Sequence, residues 1–301
     1  MSEETTRPDE DDVQAHGPRT DGPRTDGPRT DGPRTDMFWA LTTDLVGTRG
    51  LEFEHVLADI QTLNQWARAA RLEVTAISLA AYPFVQDDYA LLPHGASIGA
   101  GYGPILVARE PVDIDDLAGR EVVIPGALTT AFLTLRLVLG EFPFREVAFE
   151  EIPGEVASGR ADLGLLIHEG QLTFSEHGLV KVLDLGEWWL LETGLPLPLG
   201  VNVVRRDVER LGELSDVLHA AIECGLDNRE EALEYALQFG RGIDAAVADR
   251  FVSMYVNDLT KDYGEEGRTA VAELLRRGDE IGAFPSGVVV DWVGETESEP
   301  G

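Results

Sequence analysis

The sequence is poor in cysteine, in lysine and in long apolar runs. One cysteine, Cys224, stands among 301 residues. It excludes an internal disulfide and a cysteine-built metal cluster, and its helical surroundings suit a small core side chain. Lysine occurs only as Lys181 and Lys261; arginine supplies the other basic charges. The basic residues number 24 against 55 acidic ones, a formal net charge of −31. Such a balance repels phosphate and speaks against a nucleic-acid partner. No apolar run approaches the length of a membrane span. The N-terminus carries neither the basic n-region nor the apolar h-region of a secretory signal. A cytoplasmic protein without a membrane partner is expected. The acids are spread along the whole chain. That favours general surface acidification suited to high salt, where screening weakens self-repulsion, over one acidic binding face.

What is present supports an ordinary core: hydrophobic residues make up 43% of the chain, enough for one large or two ordinary domains. Residues 1–36 read differently. Gly-Pro-Arg-Thr-Asp repeats four times without a mismatch from Gly17 to Asp36. Proline every fifth residue breaks helix, and no apolar face exists to bury, so a disordered leader is expected. Each arginine of the repeat is matched by an aspartate, which argues against a basic binding tail. The residues from 293 to 301 are expected to fray.

Order begins near Met37-Phe38-Trp39-Ala40-Leu41, which opens a helix. Leu51-Glu52-Phe53-Glu54-His55-Val56 alternates and predicts a strand, with His55 on one of its faces. A helix follows from Asp59 as N-cap, with Ile60, Leu63, Trp66 and Ala67 on one side. Strands are expected over 72–77, 89–92 and 105–108. A glycine-rich loop, 94–104, matches neither a P-loop nor a dinucleotide fingerprint; it reads as a close backbone approach to a ligand or hinge. His94 within it reads as structural or exposed.

A second unit shows strand–helix alternation: strands over 121–124, 146–149, 163–168 and 181–185, helices over 131–139 and 151–158. This rhythm predicts parallel strands with right-handed crossovers. A strand over 200–205 carries Asn202, a candidate polar group near a cleft. Four helices close the chain, over 207–224, 228–239, 244–257 and 264–278. The chain leaves the first unit near 105–110 and returns near 200. We therefore expect two lobes: 37–106 with 200–292, and 107–199. A small-molecule cleft belongs between them. The sequence sets no oligomeric state.

Two features could carry chemistry. The apolar stretch Leu163-Gly164-Leu165-Leu166-Ile167 leads to His168, at the strand end where open α/β sheets bind ligands. A bystander histidine is an equally open reading of that stretch alone. Thr129-Thr130 opens a helix, where free N–H groups and the positive dipole end suit a carboxylate; an ordinary threonine cap is the alternative.

Several segments together resemble one family. They are Asp59-Ile60-Gln61-Thr62-Leu63-Asn64, Tyr89-Ala90-Leu91-Leu92-Pro93, Gly101-Tyr102-Gly103-Pro104-Ile105-Leu106-Val107-Ala108, Ile124-Pro125-Gly126 with Thr129-Thr130-Ala131, Leu166-Ile167-His168-Glu169, Gly194-Leu195-Pro196-Leu197-Pro198-Leu199-Gly200, and Tyr255-Val256-Asn257 with Gly264-Glu265-Glu266-Gly267. In order and spacing, from Met37 to Ile281, they are similar to the 1,4-dihydroxy-6-naphthoate synthases of the futalosine route to menaquinone. The resemblance implies an α/β, periplasmic-binding-protein-like type II fold with the site in the inter-lobe cleft. It implies a lyase acting on cyclic dehypoxanthinyl futalosine without a metal or organic cofactor. It implies His168 as the general base and Ala76-Ile77-Ser78 with Thr129-Thr130 as substrate-binding residues. A histidine near neutral pKa can take a proton from a sugar carbon or hydroxyl.

Three other readings stand beside it. A solute-binding module of the same fold would lack the base and carry an export signal. A chorismate dehydratase-like enzyme fits the Ile-His-Glu and Gly-Leu-Pro-Leu-Pro-Leu-Gly segments less well. An inactive, ligand-binding paralogue stays open because of one departure. The family opens with a strand and a Ser-x-Cys-Pro-Asn-Asp-Thr-type loop before a Phe-x-Ala-Leu helix. Phe38-Trp39-Ala40-Leu41 matches the helix, but the pentapeptide repeat stands where strand and loop belong. The loss of a sheet strand costs several kcal/mol or more by burial and hydrogen-bond magnitudes (roughly 25 cal/mol per Å² and about 1 kcal/mol per bond), and it puts the activity of this copy in question.

Overall fold

The computed structural model describes residues 35–117, 119–238, 245–285 and 287–294. The expected leader up to residue 34 and the tail from 295 onward lie outside them.

Two sheets organise the chain. The first is built on one long strand, β9 (Leu197–Arg205), to which β1 (Val74–Ser78), β2 (Tyr89–Leu91) and β3 (Ser97–Gly99) pair antiparallel. The second has five strands in the order β6-β5-β7-β4-β8: β4 (Ile105–Ala108), β5 (Val122–Ile124), β6 (Phe144–Glu146), β7 (Leu163–Leu166) and β8 (Val180–Asp184). β5 is parallel to β6 and β7, and β4 lies antiparallel to both β7 and β8, so β5, β6, β7 and β8 share one direction and β4 alone among the sheet's strands is reversed. The expected parallel direction therefore holds for the four strands of the second unit, and the reversed strand is β4, on which the chain enters this sheet. The chain has crossed to the second sheet by Ile105 and is back in the first by Leu197.

Helices cover the second sheet on both faces. α3 (Thr130–Leu139) and α6 (Leu185–Thr193) lie on one side, α4 (Ile152–Ala157) on the other. This is why β4, β5 and β7 are apolar runs rather than alternating strands. Gly164 in β7 has a packing reason. A Cβ there would lie 2.7 Å from methyls of both Ile152 and Val156, so α4 could not sit where it does. One apolar core runs through both sheets, from Ile77, Leu91 and Val203 to Leu106, Ile124 and Leu165.

α1 (Thr35–Thr42) starts two residues before the expected Met37. Its Trp39, Ala40 and Leu41 pack with Leu214, Val217 and Leu218 of α7 (Leu211–Asp227). α2 (Ile60–Arg68) is capped by Asp59, whose carboxylate accepts the Thr62 N–H, as its sequence predicts. α5 (Gly170–Thr173), α8 (Arg229–Leu237), α9 (Ala245–Tyr255), α10 (Asp258–Lys261) and α11 (Gly264–Glu280) complete the helices. Past α11 the chain returns to the first sheet: Leu91 N–H donates to Asp291 O, and Val293 N–H to Leu91 O.

Several expected boundaries move. The strand over 146–149 lies instead at 144–146, on an exposed edge. The strand at 200 begins at Leu197. The predicted strand over 51–56 does not form. Leu51, Phe53 and His55 are half-buried and Glu52, Glu54 and Val56 exposed, so the alternation is real, but among the described residues no ladder partner pairs with them. Leu51 and Phe53 pack on the α7 cluster instead. Beside this stretch, β1 pairs among the described residues only with β9. A groove of about 350 Å³ runs between residues 51–57 and Leu72, Glu73 and Val74, floored by Leu214 and Leu218.

Candidate functional site

The strand ends assemble one pocket from both sheets. β1 ends on Ser78, opposite Gly200 of β9. β5 leads through Pro125 and Gly126 to the start of α3. Gly126, at φ +156°, lies so close to Gln61 of α2 that a Cβ would fall 2.3 Å from its Cδ, so a larger residue there would displace the Gln61 side chain. β7, parallel to β5, ends at Leu166, and Ile167 and His168 follow. The shared C-terminal edge of β5 and β7 thus brings Thr129-Thr130 and His168 together, as expected for parallel α/β strands.

The pocket is narrow, about 80 Å³, and predominantly apolar. It is lined by Ser78, Ser97, Leu199 and Gly200 from the first sheet, Thr129, Thr130, Ala131, Ile167, His168 and Gln171 from the second, and Ile60, Pro104, Phe251 and Tyr255. Of the sequence-predicted residues, Ser78, Thr129, Thr130 and His168 meet here. Ala76 and Ile77 do not line it. Ile77 is fully buried in the core, and Ala76 pairs with Asn202 further along the sheet. Asn202 is also outside the lining, turned to the tight turn at Gly95. His94 is a buried structural residue, 3.0 Å from Ser215 Oγ and stacked on His219 at 5.3 Å. Burial, with the neighbouring His219, lowers its pKa to about 4.

His168 adopts φ +53°, a left-handed conformation uncommon for a residue with a side chain and concentrated at functional sites. Its ring lies 5.0 Å from the Phe149 ring and 6.2 Å from that of Phe251, edge-on to both. Across the pocket the Tyr255 hydroxyl donates to Gln171 Oε1 at 2.5 Å. Burial raises the Tyr255 pKa far above the ordinary phenol range, so this hydroxyl stays protonated. The bond ties α9 to α5.

The hydroxyls differ in what they can still do. Thr129 Oγ1 donates to Gly126 O at 2.8 Å and accepts the Phe132 N–H at 3.2 Å. Thr130 Oγ1 donates to Leu199 O at 2.7 Å and accepts the Ala80 N–H at 3.1 Å. Both protons are therefore committed to the protein. Ser78 Oγ only accepts, from Asn64 Nδ2 at 3.1 Å, while Ser78 N–H donates to Asn64 Oδ1 at 2.8 Å. A hydroxyl has one proton to give, and that of Ser78 is uncommitted among the described residues. The N–H groups of Thr130 and Ala131, at the start of α3, lack intrahelical acceptors by geometry. Together with the hydroxyl of Ser97, which also lines the pocket, the site therefore offers the Ser78 hydroxyl and two backbone donors beside a histidine, an arrangement that suits a carboxylate next to a proton-transfer centre.

Gln171 and Phe251 belong to none of the segments that resemble the family, while Asn64 and Tyr255 fall within such segments without a site role of their own. Asn64 left a signal all the same: it falls on the apolar side of α2 with Ile60, Leu63 and Ala67, and a polar residue fully buried on such a face needs a partner. Gln171 and Tyr255 lie 84 residues apart, and nothing local in the sequence pairs them. Among the described residues no cluster of three metal-ligating side chains occurs, and no helix is long and apolar enough to cross a membrane.

Comparison with known proteins fits this geometry. Residues 30–280 match a family model described as menaquinone biosynthesis. A 1,4-dihydroxy-6-naphthoate synthase of Thermus thermophilus is 41% identical over 256 residues, covering 83% of this chain and 92% of that protein. One from Streptomyces coelicolor is 38% identical over 239 residues, 76% of this chain and 83% of that one. A crystal structure of a protein from Archaeoglobus fulgidus superposes with a TM-score of 0.79 at 41% identity, covering 84% of this chain and 96% of its own. A Candida albicans protein described as having the generic periplasmic-binding-protein fold superposes with a TM-score of 0.62 at 11% identity, covering 85% and 89%. That likeness speaks to fold alone. The architecture is the periplasmic-binding-protein-like type II fold expected from sequence.

Proposed function

The chain belongs to the menaquinone-biosynthesis family, and from that premise we propose that it is the lyase that converts cyclic dehypoxanthinyl futalosine to 1,4-dihydroxy-6-naphthoate, with His168 as general base. The observation that carries this reading is the meeting of His168, in its left-handed backbone, with the donors of Ser78 and the α3 N-terminus in one apolar pocket. The aromatic part of the substrate would lie against Phe251, Ile60 and Leu199. Its carboxylate would accept from Ser78 Oγ–H and from the N–H groups of Thr130 and Ala131, helped by the positive end of α3. The Thr129 and Thr130 hydroxyls would brace the loop rather than touch substrate. His168 would take a proton from the sugar portion, and the electron-poor aromatic fragment would leave as the sugar framework breaks. The place of action would be the cytoplasm, and the acidic surface would suit high salt.

The pocket's present 80 Å³ is below the roughly 300–1,000 Å³ usual for ligand sites. Substrate entry would therefore break the Tyr255–Gln171 bond that bridges α9 and α5. The deciding experiment is turnover of cyclic dehypoxanthinyl futalosine by the purified chain in molar salt, followed by chromatography. His168→Ala should lower kcat by at least about a hundredfold, the low end of a general-base contribution, while still binding naphthalene-2-carboxylate. If wild type and variant both bind that probe and neither turns over, the chain is a ligand-binding paralogue and the enzyme reading fails.

A further inference from the structure

We propose that Asn64 is the positioning residue that makes Ser78 a hydrogen-bond donor, and so sets the pocket's preference for a carboxylate. The inference rests on the reading of Ser78 as a substrate contact. The geometry leaves Asn64 one orientation. Ser78 N–H can only donate, so the atom 2.8 Å from it must be the amide oxygen. The amide nitrogen is then the atom 3.1 Å from Ser78 Oγ, and it can only donate. One hydroxyl lone pair is thereby occupied, and the Ser78 proton cannot point at Asn64. It is turned to the pocket that Ser78 lines. Asn64 Nδ2 also makes a long contact, 3.5 Å, with Leu128 O in the loop before α3. One side chain thus spans α2, the end of β1 and the loop that carries Thr129-Thr130. Asn64 is fully buried and Ser78 nearly so, at 4% exposed, which shields the pair from competing water.

Asn64→Asp tests the idea with almost no change of shape. The ionised carboxylate that replaces the amide accepts from both Ser78 N–H and Ser78 Oγ–H, so the serine proton turns away from the pocket and the site loses a donor. A carboxylate ligand is then disfavoured. An amide, which brings its own N–H, is not. We expect the preference for naphthalene-2-carboxylate over naphthalene-2-carboxamide, measured by calorimetry, to fall by at least about tenfold, the order of one hydrogen bond to a charged group. KM for cyclic dehypoxanthinyl futalosine should rise similarly with kcat within about threefold, the pattern of lost uniform binding. In a Ser78→Ala background the same substitution should change the preference by less than about twofold, because the group it acts through is gone.

An unchanged preference, or an equal loss in the Ser78→Ala background, overturns the inference: Asn64 would then be only structural, or act by charge alone. If Asn64→Asp does not fold, Asn64→Ala is read in its place. It frees the Ser78 proton to rotate, and its smaller loss must also vanish in the Ser78→Ala background. Failure of the functional reading looks different. Wild type would then not turn over, and the cycle on the two naphthalene probes still decides the role of Asn64.

Discussion

Thr130 is where the structure and the family resemblance make different demands, and Thr130→Val separates them. Valine keeps the shape of threonine and removes only the hydroxyl. That hydroxyl holds two backbone groups, Leu199 O at 2.7 Å and Ala80 N–H at 3.1 Å. Thr130 is 1% exposed, so water cannot replace it. An orphaned buried backbone group costs about 1–3 kcal/mol; two together cost roughly 2–6 kcal/mol. For a protein of this size that is a Tm decrease on the order of 5–15 °C. Thr130→Ser, which keeps both bonds, should lose about 1 kcal/mol, roughly a buried methyl group. Ser78→Ala should show the opposite profile. It removes one acceptor from Asn64, worth about 1 kcal/mol of stability, but the loss of the free donor should weaken naphthalene-2-carboxylate binding at least about tenfold. Thermal unfolding and calorimetry on wild type and the three variants give both axes. If Thr130→Val keeps the wild-type Tm and loses the ligand, the hydroxyl contacts substrate and its proton is not committed to Leu199.

Two further perturbations test the environment of the site. His94 has its pKa lowered to about 4 by burial and by His219, against about 6.5 in an unfolded chain. The unfolded state takes up that proton first as pH falls, so His94 leaves stability intact above about pH 6.5. It subtracts about 2 kcal/mol by pH 5 and about 3 kcal/mol below pH 4. Urea unfolding of wild type and His94→Gln at pH 7 and pH 5 isolates the effect; an equal pH dependence in both proteins would show that His94 is not its source. The net charge of −31 predicts a Tm that rises by several degrees between 0.1 and 1 M KCl, as the Debye length falls from about 10 to 3 Å. A Tm insensitive to that change would mean that self-repulsion is already relieved at low salt.

Much of the architecture is legible because local chemistry and global fold agree. Asp59 before an amphipathic stretch, Thr129 before Ala131, and the apolar runs of β4 and β7 each signal their element and receive it. The differences fall where a distant partner decides. Residues 51–56 carry the alternation of a strand, and the alternation is present, but a strand also needs a neighbour. The edge of β1 stands across a groove from it. Ile167 and His168 read as the end of a strand, yet the strand stops at Leu166 and His168 turns into the left-handed region.

The order of residues alone carries the class of fold, the segments that alternate between strand and helix, and the candidates His168, Thr129 and Thr130, because periodicity and capping are written in neighbouring residues. It also carries the excess of acidic charge. Ser78 is a candidate only through the family resemblance. Which hydroxyl has a proton left to give emerges only on folding, because hydrogen-bond partners such as Leu199 for Thr130 and Asn64 for Ser78 lie 69 and 14 residues away. The same holds for the bond between Gln171 and Tyr255 and for the exclusion of Ile77 from the pocket. A side chain's chemical type is local, but its remaining capacity to bind depends on everything folded against it.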